Sequence, residues 1–122
     1  MTYITKDSGQ RKIFKTGMNR DINDDKPAYT LCIPLNCDNP MITRWAELMR
    51  RGEKKYGSRN WEKASTFEEL ERFKDSALRH MIQWISGDTT EDHASAVYFN
   101  IQGAELVKER LSKKVKKNSR NR

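Results

Sequence analysis

Residues 91–111 read EDHASAVYFNIQGAELVKERL, and this stretch decides how the rest of the chain folds. A helix turning 100° per residue places seven of its side chains on one stripe: His93, Ala96, Val97, Asn100, Ala104, Val107 and Leu111. Apolar residues also fall on its other sides, which is typical of a buried central helix. His93, Asn100 and the pair Glu91–Asp92 then need hydrogen-bond partners or a metal ion, because burying unpaired polar groups is costly. We therefore predict that this helix forms one wall of an active site.

Composition limits the rest of the protein to one small domain. The chain has 122 residues, of which 35% are hydrophobic and 34% are charged, so we expect a thin core that oligomerisation completes. No stretch approaches the ~20 apolar residues needed to cross a bilayer, and the first residues lack an apolar signal region. Cys32 and Cys37 fit no zinc-binding spacing and are predicted to be free thiols. These features favour a cytoplasmic protein without membrane contact.

The net charge of +7 is confined to the end of the sequence. Eight basic residues and one acidic residue lie from Lys108 onward, whereas the preceding residues contain 16 of each sign. Such a tail either contacts nucleic acid or is simply a solvated helix end. The charge therefore does not by itself indicate a nucleic-acid-binding protein.

Residues 1–40 are predicted to form an irregular N-terminal arm. One or two short strands are expected around the segment YTLCIPL, residues 29–35, which follows Pro27 and contains Pro34. The arm either packs on the helices or a neighbouring subunit, or covers a substrate, since loops often carry ligand contacts. In the second interpretation Arg20 and Lys26 contribute positive charge.

Two helices are predicted before the central one. The first covers residues 41–56, between Pro40 and Gly57, and carries Glu53 on its inward stripe. An inward carboxylate either pairs with a base such as Arg79 or binds a metal ion. The second helix covers residues 66–86, opens with the capping box Thr66–Glu69, and ends at Gly87. Its predicted buried face consists of Leu70, Phe73, Ala77, Leu78, Met81, Trp84 and Ile85.

The start of the central helix has two interpretations. Thr89 and Thr90 are both suitable N-cap residues for it. The acidic pair Glu91–Asp92 then falls in the first turn, where carboxylates are favoured by the helix dipole without any further role. The alternative is that these carboxylates are functional.

No Walker loop, GxGxxG, GxSxG, HExxH or EF-hand pattern occurs, so the candidate chemistry is distributed along the chain. It comprises carboxylates at positions 53, 62, 75, 91 and 92, imidazoles at 80 and 93, and surrounding bases. Carboxylates on facing helices commonly hold divalent cations, and Mg²⁺ or Mn²⁺ in such sites binds substrate phosphates. The pattern favours a metal-bound polyphosphate.

Three segments resemble a known family: MITRWAELMRRGEKKYGSRNWEKA (41–64), SALRHMIQW (76–84) and EDHASAVYFNIQGAE (91–105). They are similar to the phage-rich dATP/dGTP diphosphohydrolase N-terminal-domain family, a relative of the all-α MazG-like pyrophosphatases, and the likeness extends from about Gly17 to Glu105. The resemblance implies metal-dependent hydrolysis of a purine (deoxy)nucleoside triphosphate, such as dGTP or dATP, to the monophosphate and pyrophosphate. It also implies an all-α bundle of three to four helices that assembles as a dimer or tetramer.

The sequence departs from the MazG-like pattern of metal ligands. The EExxE and ExxD elements of those enzymes are not present at the expected spacing, and EELE at 68–71 falls on the exposed side of the second helix. We therefore predict four other metal ligands, with Glu62 as a weaker candidate: Glu53, Asp75, Glu91 and Asp92. The predicted cofactor is Mg²⁺ or Mn²⁺.

The remaining site residues are assigned to two roles. The predicted catalytic residues are Asp75, Arg79, His80, His93 and Asn100. The predicted substrate-binding residues are Arg20, Lys26, Lys54, Lys55, Arg59, Asn60 and Trp61, with Trp61 or Tyr29 able to stack on the base. The catalytic domain is then residues 41–111, followed by a basic tail at 112–122. Two rival hypotheses are a non-catalytic helical phage protein that binds DNA through this tail, and a nucleotide-binding module without activity.

Overall fold

The computed structural model describes residues 3–22 and 25–120, and within these the protein is mostly helical. The strands are β1 (Arg11–Ile13) and β2 (Asn19–Asp21), and the helices are α1 (Met41–Tyr56), α2 (Phe67–Ile85) and α3 (His93–Arg120). Short 3-10 turns cover Tyr29–Cys32 and Asn60–Lys63. The prediction of a small helical bundle with an irregular N-terminal arm is confirmed. The chain divides into two compact units, Met1–Cys32 and Ile33–Arg122.

The N-terminal unit contains an antiparallel hairpin. Arg11 is opposite Asp21 in the register, and the turn closes through a hydrogen bond from the Phe14 N–H to the Met18 carbonyl at 2.8 Å. Gly17 in this turn has φ +90°, a conformation that side chains disfavour. The strands predicted around residues 29–35 were placed wrongly, because Tyr29–Cys32 forms a 3-10 turn. In this turn the Leu31 N–H donates to the Ala28 carbonyl at 3.0 Å, so a local hydrogen bond replaces the pairing that a strand would need.

Helices α1 and α2 begin and end where local chemistry predicts. The Pro40 carbonyl accepts hydrogen bonds at the first turn of α1, and Gly57, with φ +96°, donates its N–H to the Glu53 carbonyl at the last. The Thr66–Glu69 capping box opens α2 as expected. Gly87, with φ +86°, follows the end of α2. No helix in the described ranges is long and apolar enough to span a membrane.

The buried face of α2 is narrower than predicted. Leu70 is buried and Phe73 is half-buried against α3, but Leu78, Trp84 and Ile85 are more than half exposed. The reason is that α2 packs mainly on α3, so only the side of α2 toward α3 is covered. The wider face that was predicted would be buried only if helices packed on both sides of it.

Helix α3 supplies most of the core. Val107 is fully buried among Ala64, Leu70 and Ala104, and α1 also packs on α3. The Thr89 and Thr90 caps predicted for α3 are wrong. Asp92 is the N-cap, since its Oδ1 accepts the Ser95 N–H at 3.2 Å and its carbonyl accepts the Ala96 N–H. The helix continues through the basic segment as far as Arg120.

Candidate functional site

Two histidine rings meet where α2 ends and α3 begins. The last turns of α2 carry His80, and α3 opens with His93, so the short connection brings the two side chains together. Their Nδ1 atoms are 2.9 Å apart, and the ring centroids are 5.2 Å apart. His93 is only 2% exposed, and His80 is half-buried. A polar pair this buried requires defined partners.

Asp88 fixes the proton on one of these rings. Its Oδ2 lies 2.5 Å from His93 Nε2 and accepts the Thr90 hydroxyl at 2.8 Å. These hydrogen bonds, from His93 first and Thr90 second, hold the pKa of Asp88 below its ordinary value. An ionised carboxylate only accepts, so His93 Nε2 is the donor. In neutral His93 the Nδ1 atom therefore presents a lone pair toward His80.

Glu91 completes a group of potential metal ligands. One carboxylate oxygen of Glu91 and one nitrogen each of His80 and His93 lie within 4.8 Å of one another, and residues 3–22 and 25–120 contain no other group of three. Burial lowers the pKa of His80, with further lowering by Arg79 and His93 and an opposing effect of Glu91. A lowered pKa keeps the imidazole neutral, which is the form that binds metals.

The four carboxylates predicted to cage a metal do not converge. Only Glu91 belongs to the ligand group above. Glu53 forms an ion pair with Arg50 on α1, and Asp75 is exposed and lies 4.0 Å from Arg79 on α2. Glu53 and Asp75 each have a cationic side chain one turn away on their own helix, and each lies near that cation instead of in a shared site.

Asp92 is engaged in holding α1 to α3. Its two oxygens accept hydrogen bonds from Arg44 Nε and Nη2 at 2.9 and 2.6 Å, in addition to capping α3. The hydrogen bonds from Arg44 hold the pKa of Asp92 well below its ordinary value. Both oxygens are therefore occupied by a bidentate pair, which is a structural arrangement.

Asn100, predicted as catalytic, is buried and donates its side-chain amide to the Ala96 carbonyl at 2.8 Å. This hydrogen bond lies within α3 and satisfies the amide without a ligand. Arg79 is exposed on α2, as its position on the helical wheel predicted.

A cavity of about 500 Å³ lies between the end of α1, the following loop and α3. Four of the predicted substrate-binding residues line it: Lys55, Arg59, Asn60 and Trp61. Glu53 lines it too, together with residues that sequence reasoning missed, namely Arg51, Tyr56 and Phe99. Cationic and aromatic residues thus line one open cavity.

The loop that forms one wall of the cavity is held by contacts with α3 and by a contact within the loop. Trp61 packs edge-on against Phe99 of α3, with centroids 5.9 Å apart at 80°. Arg110 Nη1 donates to the Ala64 carbonyl at 2.8 Å and also to the Glu62 carbonyl. Glu62 itself pairs with Arg59 at 2.5 Å. These contacts fix the indole at the cavity wall.

Three predicted substrate contacts lie elsewhere. Lys54 is exposed outside the cavity lining. Arg20 lies on β2 and Lys26 follows it, both exposed in the N-terminal unit. Tyr29, the alternative stacking residue, is exposed in the 3-10 turn of the same unit.

Sequence reasoning also missed Asp88 and Arg44. Asp88 directly follows the helix-ending Gly87 and precedes His93 by five residues, so its position in the turn was the available signal. Arg44 had no local signal, because its partner Asp92 is 48 residues away.

Comparison with known proteins yields one match. The family described as "dATP/dGTP diphosphohydrolase, N-terminal" matches residues 16–109, which is more than three quarters of the chain. No curated protein and no solved structure matches the chain.

Proposed function

Because the chain belongs to the dATP/dGTP diphosphohydrolase N-terminal family, we propose that it hydrolyses purine (deoxy)nucleoside triphosphates to the monophosphate and pyrophosphate. The match covers α1, α2 and most of α3, which together carry the cavity and the histidine cluster. Hydrolysis is proposed to depend on a divalent cation.

The observation that carries this proposal is the composition of the cavity wall. Its volume of about 500 Å³ lies within the usual range for small-molecule sites. Three aromatic side chains line it, namely Tyr56, Trp61 and Phe99. Three cationic ones also line it, namely Arg51, Lys55 and Arg59. A nucleotide presents an aromatic base and an anionic phosphate chain, which match these two sets of side chains.

Each set has a role in the proposed reaction. Trp61, held by Phe99, offers a fixed stacking surface for the purine. Lys55 and Arg59 bind the phosphates and stabilise charge that develops on the leaving pyrophosphate. Arg59 pairs with Glu62 in the structure, so substrate phosphate replaces that carboxylate as its partner.

Residues suitable for the cation lie where α2 ends and α3 begins. A bound divalent ion would neutralise phosphate charge and lower the pKa of a water molecule. The residues that fit it are His80, Glu91 and His93. Since α3 rises about 1.5 Å per residue, His93 and the cavity residue Phe99 are about 9 Å apart along its axis. The candidate cation site and the cavity are therefore about two helical turns apart along α3.

The test is release of pyrophosphate from each of the four deoxynucleoside triphosphates with Mn²⁺ or Mg²⁺, followed by chromatography of the monophosphate. We expect turnover of dATP or dGTP. Lys55→Ala should raise KM roughly 10- to 100-fold, the range for losing a charged hydrogen bond. Lys54→Ala is the matched control, an adjacent lysine outside the cavity, and should leave KM unchanged. Absence of pyrophosphate with every nucleotide would refute the proposal.

One observation favours a second candidate, DNA binding. Helix α3 extends through an exposed segment that carries Lys113, Lys114, Lys116 and Lys117. Phosphate contacts by these lysines would give an affinity that falls steeply with salt. Removing residues 112–122 should abolish such binding and leave pyrophosphate release intact. An unchanged affinity after truncation would exclude the tail as the DNA contact.

A further inference from the structure

We propose that His80, His93 and Glu91 form a binding site for a transition-metal ion of the Mn²⁺, Co²⁺ and Zn²⁺ class, and that Asp88 positions His93 in it. This inference deepens the proposed function by naming the class of cation and its ligands. It stands on the geometry of the cluster, however, and metal binding is measurable without any turnover.

The spacing of the two histidines suits adjacent ligands of one ion. Their Nδ1 atoms are 2.9 Å apart. For metal–nitrogen bonds of about 2.0–2.1 Å, two nitrogens at a right angle around an ion are separated by about 2.9 Å. The nitrogens come from different helices, so the fold of α2 against α3 sets this distance. Glu91 is exposed, and one of its carboxylate oxygens lies within 4.8 Å of a nitrogen of each ring, within reach for a long side chain.

Asp88 provides the support that metal-binding histidines typically have. Such a histidine usually donates its other N–H to a carboxylate, which fixes the tautomer and the orientation of the ring. His93 makes this contact through Nε2 to Asp88 at 2.5 Å, and Thr90 holds the same oxygen at 2.8 Å. His93 Nδ1 is thereby left as an acceptor, directed at His80.

Proton balance is simple in this arrangement. Without an ion, the short contact between the rings is a hydrogen bond from His80 Nδ1–H to His93 Nδ1, since His93 has no proton there. When an ion binds, the His80 proton moves to Nε2 through solvent, and both Nδ1 lone pairs face the ion. Neither ring changes charge, and no proton is lost overall.

The donor set selects the class of metal. Imidazole ligands suit Zn²⁺ and related late transition-metal ions, whereas Mg²⁺ prefers an all-oxygen shell. Two histidines and one carboxylate also leave coordination positions open, as sites that bind substrate require. This differs from the all-carboxylate Mg²⁺ or Mn²⁺ site that the sequence predicted.

The experiment is a metal titration of untagged, chelator-treated protein in the absence of nucleotide. Calorimetry with Zn²⁺, Mn²⁺ and Mg²⁺, and the visible absorption of Co²⁺, report stoichiometry and ligand type. We expect one tight site per chain for Co²⁺ and Zn²⁺, with Mg²⁺ binding at least 100-fold more weakly. No Co²⁺ spectrum in the wild-type protein would overturn the proposal.

Variants separate the ligands from the positioning residue. His80→Ala and Glu91→Gln remove half-buried and exposed groups, so circular dichroism should show intact helices while Co²⁺ affinity is lost or greatly reduced. Asp88→Asn should weaken affinity roughly 10- to 100-fold and keep the stoichiometry, as expected for a carboxylate that holds a ligand histidine without touching the ion. Glu71→Gln, a change at an exposed acid on α2 outside the cluster, is the matched control and should change nothing.

The outcomes also separate this inference from the proposed function. Tight Co²⁺ binding that depends on His80, in a protein that hydrolyses no nucleotide, would support the metal site and refute the activity. Pyrophosphate release by His80→Ala at the wild-type rate would support the activity and refute a role of this site in it. Co²⁺ affinity unaffected by His80→Ala and Glu91→Gln would place the ion elsewhere and refute the site.

Discussion

The Asp92 side chain makes two contacts, and both stabilise the fold. It caps α3 through the Ser95 N–H and forms a bidentate ion pair with Arg44 of α1. Asp92→Ala removes both, and we expect the free energy of unfolding to fall by about 2–5 kcal/mol in urea denaturation, the combined range for a lost cap and a broken charged hydrogen bond.

The matched variant for this prediction is Asp92→Asn, which retains a good cap and loses only the ion pair. It should destabilise less than Asp92→Ala. Asp92→Ala with wild-type stability and reduced Co²⁺ affinity would instead make Asp92 a metal ligand, as the sequence first predicted.

Gly103 of α3 lies against the Phe73 ring of α2, and this contact leads to a second prediction for a single residue. A Cβ atom at this position would lie closer to the Phe73 ring than van der Waals contact allows. Gly103→Ala gains up to about 1 kcal/mol of helix propensity, but overpacking typically costs about 1–3 kcal/mol. We therefore expect a lower melting temperature.

Gly52→Ala is the comparison, because this α1 glycine has no atom within 4 Å of an added Cβ. It should raise the melting temperature through helix propensity alone. If Phe73→Leu restores the stability of Gly103→Ala, the ring is the cause. Equal gains from both alanine variants would contradict the close packing.

The residues of the site were predictable in part. His80 and His93 were both singled out, as catalytic residues, and His93 was chosen because a polar side chain on an apolar helical stripe is costly unless it has a partner. The role of Asp92 was not predictable, because a carboxylate before a helix suits both a cap and a ligand, and Arg44 decides between them from 48 residues away. Local patterns do not encode such a contact.

At the scale of single elements, the capping box of α2 predicts a pH dependence. Hydrogen bonds from the Ser65 N–H and from Thr66 lower the pKa of Glu69 below its ordinary value of 4.5. A carboxylate with a lowered pKa in the folded state stabilises the protein above its ordinary pKa, and this stabilisation is lost as pH falls through the folded value.

Glu69→Gln should therefore be less stable than the wild type at pH 7, and the difference should shrink as the pH is lowered below 4.5. Urea midpoints over this pH range measure it. Glu68→Gln is the control, an exposed neighbour in the same first turn. A difference for Glu69→Gln that is independent of pH would contradict the assignment.

The ends of the helices were predicted more accurately than the faces that they bury. The caps and glycine stops of α1 and α2 depend on residues within one turn, which the sequence displays directly. The buried face of α2 depends on which helices surround it, and the structure covers only the side against α3. The misplaced strand at residues 29–35 has the same origin, since apolar content alone does not supply a pairing partner.

At the scale of the whole molecule, α2 presents an apolar stripe that the described residues leave uncovered. Leu78, Ile82 and Ile85 follow helical spacing and are 61%, 58% and 70% exposed. Monomeric proteins rarely expose a contiguous apolar patch of this kind. The core of this small chain is also thin, since few large side chains in the described ranges are fully buried. We expect a second copy of the chain to cover the stripe, in line with the oligomer that the family resemblance implies.

Sedimentation equilibrium tests this expectation, with the wild-type protein predicted to be a dimer or larger. The double variant Leu78→Glu and Ile82→Glu should shift the mass to the monomer, because two buried carboxylates on each copy cannot be solvated in an apolar interface. Arg72→Glu introduces a charge reversal at an exposed α2 position about 120° away from Leu78, and should leave the mass unchanged.

His80 lies on the far side of α2 from this stripe, so Co²⁺ binding by the double variant shows whether assembly and the metal site are independent. A wild-type protein that stays monomeric at high concentration would show that the stripe is not a self-association surface.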